Sequence, residues 1–108
     1  MEHEELQRVF CWKVSAELKQ FQYQVLAKSR EEIFGLAYQI DTMIRLYELL
    51  VDTSEQMDAM RLQYCIATPN LLKLVYKHYL QDHIPDNREE GLQKSFEKLL
   101  REIEKKAA

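Results

Sequence analysis

Apolar residues line two opposite sides of the first predicted helix, and this double pattern constrains the chain more than any other feature. One stripe is Leu6, Phe10, Val14, Leu18, Phe21 and Val25, at spacings of three and four. A second is Val9, Trp12, Ala16, Tyr23 and Ala27. At about 100° per residue the two are centred roughly 170° apart. A surface helix needs only one apolar stripe. The second, which carries the only Trp of the chain, must be covered either by another helix of this chain or by another molecule.

The rest of the sequence is helical in the same sense. With only 2 Gly and 2 Pro in 108 residues, tight turns are few and strand-rich folds are disfavoured. Hydrophobic residues make up 46% and charged residues 31%, enough apolar surface for one ordered core. The expectation is a single all-α domain over residues 1–108, a compact bundle of four to five helices. The first, second and fifth should supply most of the core.

The first helix is predicted over about Glu2–Ala27, with Glu2, Glu4 and Glu5 favouring its dipole. Ser29 to Glu32 reads as a capping box, so the second helix should start near Arg30 and run to about Val51. Its expected core face is Ile33, Leu36, Ala37, Ile40, Ile44, Tyr47 and Val51, with Gly35 marking a close neighbouring backbone. Asp52-Thr53-Ser54 should cap a short third helix over about residues 55–66, with Met57, Met60 and Tyr64 on its apolar side. Thr68-Pro69 reads as an N-cap hydroxyl followed by Pro at the first helical position. It would open a fourth helix carrying Leu72, Val75, Tyr76, Tyr79 and Leu80. Asp82-His83-Ile84-Pro85-Asp86 is a predicted loop. Asn87 to Glu90 is a second capping box, opening a last helix with Leu92, Phe96, Leu99, Leu100 and Ile103 inward.

Few residues suggest chemistry. His3, His78 and His83 lack metal-ligand spacing, so no metal or cofactor is expected. Cys11 and Cys65 read as buried thiols of a reduced compartment. Neither has a visible base or oxyanion donor beside it, and no enzyme is expected. The acidic, polar start does not resemble a secretory signal, and no apolar run approaches bilayer-spanning length. A cytoplasmic location follows as the expectation.

Two binding readings remain. Trp12 and Tyr23, with Val9, Ala16 and Ala27 and with Tyr38 of the second helix, could form an aromatic contact face for a protein partner or a homodimer. Lys94, Lys98, Arg101 and Lys105 form a basic stripe on the last helix that could touch phosphates. Interleaving with Glu90, Glu97 and Glu102 is ordinary helix solubilisation, so a solvated helix face is the favoured reading of that stripe. The overall charge of −3 gives nucleic acid no general attraction. Residues 1–54 hold 9 acidic and 6 basic side chains, so −3, and residues 55–108 hold 9 of each.

Glu31-Glu32-Ile33 followed by Ala37-Tyr38-Gln39-Ile40 resembles a family of small bacterial proteins known as a domain of unknown function. The similarity extends to Glu4-Glu5-Leu6, to Thr68-Pro69-Asn70-Leu71-Leu72 with Tyr76, and to the last helix. The resemblance implies a cytoplasmic, non-enzymatic helical protein of the kind carried by phages and other mobile elements. By analogy with such proteins, an inhibitor of a bacterial defence nuclease, as anti-CRISPR proteins are, is a further expectation.

Overall fold

A computed structural model describes residues 2–82 and 87–107, and within them the regular secondary structure is all α-helix. The elements are α1 (His3–Leu26), α2 (Arg30–Gly35), α3 (Ala37–Ser54), α4 (Ala59–Ala67), α5 (Leu71–Gln81) and α6 (Arg88–Ala107). The all-α expectation holds, with six helices where four to five were expected.

α1 is the spine. At 1.5 Å per residue its 24 residues run about 36 Å, against a longest molecular dimension of 44 Å. Its inner stripe, Leu6, Phe10, Val14, Phe21 and Val25, is buried against α3, α4 and α5. α6 lies across α5, α3 and α4 and contributes Leu92, Phe96, Leu99 and Leu100. α5 adds the fully buried Leu71, Leu72 and Val75, so the core is shared more evenly than the sequence suggests.

The second predicted helix is two helices. The Ser29–Glu32 capping box is formed in both directions, so α2 starts where expected. It ends at Gly35, a poor helix former, and Leu36 makes a tight turn before α3 begins. Nothing lies within 4 Å of where a Cβ on Gly35 would stand, so it does not mark a close backbone contact.

The buried face of α3 is Thr42, Met43, Leu46, Leu50 and Ser54. This is rotated by about 100° from the expected face. Ile40, Tyr47 and Val51 pack only partly on the core, and Ala37 is exposed. α3 is apolar over a wide arc, and the neighbours decide which part of it is inside.

Two predicted helix starts are also corrected. Asp52, Thr53 and Ser54 belong to α3, and Asp58 caps α4 by accepting from the Arg61 N–H at 2.8 Å. Met57 is buried in the connection before α4, whereas Met60 is exposed. Thr68 is not an N-cap: its hydroxyl donates to the Tyr64 carbonyl at 2.8 Å and closes α4. Asn70, at φ 56°, turns the chain into α5 in the left-handed region that Asn tolerates best among residues with a Cβ. Leu80 faces solvent. In α6, Asn87 does accept from the Glu90 N–H at 3.2 Å. The predicted loop at positions 83–86, including His83, lies outside the described residues.

Candidate functional site

The outer stripe of α1 has no cover. Trp12 is 74% exposed and Tyr23 80%. Val9, Ala16 and Ala27 are exposed beside them, and so is Leu26. The sequence left open whether this chain buries the second stripe itself, and the described residues do not. The cause is the packing order: α3, α4 and α5 all sit on the inner side of α1. Glu5, Arg8, Val9 and Trp12 form a shallow bay of about 380 Å³ at the N-terminal end of the exposed face.

The face is fixed by interactions on its opposite side. His3 Nε2 donates to the Met57 carbonyl at 2.6 Å and ties the start of α1 to the α3–α4 connection. Gln7 Nε2 donates to the Ser54 hydroxyl at 3.4 Å, and that hydroxyl donates to the Val51 carbonyl at 2.6 Å. Cys11 Sγ lies 3.6 Å from the same hydroxyl. Further along, Glu17 pairs with Lys13 and accepts from the Leu72 N–H at 2.9 Å. The exposed aromatics therefore stand on a helix anchored along most of its length.

Tyr38 does not join Trp12 and Tyr23 in any contact. Its hydroxyl lies 2.7 Å from the Tyr79 hydroxyl, and the Arg88 guanidinium sits 5.3 Å over its ring. Arg88 also donates to Asp41 at 2.6 Å and to the buried Thr42 hydroxyl at 3.1 Å. These contacts bind α3 to α5 and α6. Arg45 beside Asp41, then Arg88, holds the Asp41 carboxyl below the usual carboxylate range. Burial, then the hydrogen bond to Tyr38, pushes the Tyr79 phenol up to about 12.

The basic stripe of α6 is partly neutralised. Lys94 lies 3.3 Å from Glu90 and Lys98 lies 3.2 Å from Asp82. Arg101 and Lys105 are exposed and form no ion pair among the described residues.

A second apolar feature was not anticipated. Ile33, Phe34, Ala37, Ile40 and Ile44 line a groove of about 730 Å³ between α2 and α3, rimmed by Arg30 and Asp41. Phe34 is 76% exposed at its edge. The signal was in the sequence, because all of these but Phe34 are residues expected to face the core. The rotation of α3 turns Ala37, Ile40 and Ile44 towards the surface, where Ile40 is only partly buried.

The remaining polar groups have structural partners. Burial pushes the Cys65 thiol up to about 12, which makes it a poor nucleophile. His78 Nε2 lies 3.5 Å from Glu102. Among the described residues no group of three or more potential metal ligands converges, and no helix is long and apolar enough to cross a membrane. Comparison with family models, characterised proteins and solved structures gives no match for this chain.

Proposed function

We propose that this chain is a protein-binding module that acts by contact rather than catalysis, with the outer face of α1 as its contact surface. The supporting observation is Trp12 and Tyr23 exposed together on one side of an anchored helix. Each ring carries roughly 150–250 Å² of mostly apolar surface, and leaving it in water costs about 25 cal/mol per Å² of apolar area relative to burial. Trp and Tyr are also the residues that dominate interface energetics. The resemblance to small helical proteins of mobile elements extends the proposal to a bacterial or phage setting, where such a module could inhibit a larger target by occupying its surface.

The second reading, contact with nucleic acid through α6, rests on Arg101 and Lys105. The Lys94–Glu90 and Lys98–Asp82 pairs weigh against it, since they remove half of the stripe's charge.

Photo-crosslinking from the contact face tests the proposal. A benzophenone amino acid is placed at position 12 or 23 of the full chain in cells. The expected result is a protein adduct from both positions, suppressed by Ala at the other aromatic position and absent from a probe at the exposed Lys73. Adducts no more frequent than those from Lys73 would overturn it. Adducts with nucleic acid from probes at positions 101 and 105, and none from 12 and 23, would favour the second reading.

A further inference from the structure

The residue order of the exposed α1 face is complementary to itself. Val9, Trp12, Ala16, Lys19, Tyr23 and Leu26 recur at alternating steps of three and four, and all are exposed. This is the a/d spacing by which two helices pack along their length. The ends of the face differ in charge: Glu2, Glu4, Glu5 and Arg8 sum to −2 at its start, and Lys28, Arg30, Glu31 and Glu32 sum to zero just past its end. Glu2, Glu4 and Glu5 stand at its start, and Lys28 and Arg30 stand just past its end. All five are exposed, and none is in an ion pair among the described residues.

We propose that the partner of this face is a second copy of the chain, with the two α1 helices antiparallel and the twofold axis at Ala16. The proposal rests on the reading of this face as protein-binding. With Ala16 opposite Ala16 of the second copy, Val9 faces Tyr23 and Trp12 faces Gln20, next to Lys19. Glu4 and Glu5 then lie near the turn that carries Lys28, just past the end of α1 at Leu26. The small side chain at the axis lets the helices approach to the 8–10 Å typical of packed pairs. Lys19 lays its aliphatic stem against the Trp12 ring of the other copy and brings its ammonium over the indole face.

Charge decides the direction. A parallel pair would set the three glutamates beside their own copies and Lys19 beside Lys19, which is repulsive at both places. The antiparallel pair separates the two acidic ends and sets each towards Lys28 and Arg30 of the other copy. Two Trp, two Tyr and their aliphatic neighbours bury on the order of 1,000 Å² in total, the low edge of specific interfaces. The dimer therefore exchanges with monomer in the micromolar range, on the order of 1–100 µM.

Sedimentation equilibrium and directed disulfides on the full chain test this together. The expected wild-type behaviour is a concentration-dependent dimer, with Trp12→Ala at least ten-fold weaker. In a Cys11→Ala background, Ala16→Cys links to itself on oxidation. Val9→Cys links to Tyr23→Cys when the two are mixed, and neither links to itself. Glu4→Lys/Glu5→Lys weakens the dimer, Lys28→Glu/Arg30→Glu weakens it too, and mixing the two swapped chains restores association. A chain that stays monomeric up to about ten times the upper limit of that range overturns the dimer. So does a dimer indifferent to Trp12→Ala, or a Tyr23→Cys chain that links to itself, which is the parallel arrangement. A monomeric chain whose position-12 probe still captures a different protein overturns the dimer alone. With no protein adduct either, both readings fall.

Discussion

Glu17 on α1 accepts the backbone N–H of Leu72 at 2.9 Å and so caps α5 from 55 residues away. α5 needs this, because its own N-cap residue, Asn70, is left-handed and makes no side-chain cap. Leu71 and Leu72 are fully buried at this end, where water cannot easily replace the missing acceptor. The carboxylate also meets the positive end of the helix dipole. One side chain thus fixes both the start of α5 and its position against the spine.

Glu17→Ala should lower stability by about 1–2 kcal/mol, the range of a lost cap that leaves a buried donor unpaired. Glu17→Gln keeps an acceptor without the charge and should lose roughly half as much. Urea unfolding of the two variants, with unchanged slope, checks the order. Equal losses would mean that the charge of the carboxylate, and not an acceptor for the Leu72 N–H, carries the effect.

Tyr79→Phe should cost about 1 kcal/mol, the net value of one hydrogen bond. The partner Tyr38 is half exposed and can turn to water, so the cost stays at that level. Asp41→Asn should loosen α6 at its start, because Arg88 loses its charged partner at 2.6 Å. Hydrogen exchange at the amides of the first turns of α6 reads this directly. Because the folded Asp41 titrates below its ordinary value of 3.8, its contribution is complete above that pH and disappears as pH falls below it.

Alkaline pH should destabilise the fold through two buried groups. Cys65 rises from 9.0 to about 12 through burial, and Tyr79 from 10.0 to about 12. Each raised value means that the folded state holds its proton more tightly than the unfolded chain. Their joint contribution is therefore constant below about pH 9 and declines as pH rises towards 12. Cys65→Ala should remove the part of the decline that begins near pH 9 and leave the part that begins near 10. Melting temperatures from pH 7 to 11 separate the two.

Trp12→Ala and Tyr23→Ala should leave the unfolding free energy within about 0.5 kcal/mol of the parent when measured on the monomer. Both rings are mostly in solvent, so their removal opens no cavity. A loss of about 2 kcal/mol or more, the scale of a buried aromatic or Leu truncation, would show that the rings are core after all.

Several local signals in the sequence hold in the structure. The Ser29–Glu32 box, the extent of α1 and the Asn87–Glu90 cap depend on neighbours three or four residues apart. Readings that needed a distant partner went astray. α3 is apolar at Ile40, Ile44, Tyr47 and Val51 and also at Met43, Leu46 and Leu50, an arc too wide for periodicity to say which part is inside. Thr68-Pro69 has the composition of a helix start, yet the Thr68 hydroxyl bonds backward to Tyr64 and leaves the capping of α5 to Glu17. Nothing near Glu17 in sequence announces that role. The contact face was legible as a pattern on α1, but its exposure depends on where α3, α4 and α5 pack. Tyr38 looked like part of it only because its partners, Tyr79 and Arg88, lie far along the chain.

As the only Trp, Trp12 reports on its own face without labelling. Acrylamide quenching of its fluorescence, followed from sub-micromolar to near-millimolar protein, asks directly whether a second copy covers α1. The expected result is free quenching and red-shifted emission when dilute, with progressive shielding and a blue shift as concentration rises, and no such shielding in Glu4→Lys/Glu5→Lys. Quenching that stays constant over the whole range would contradict the dimer.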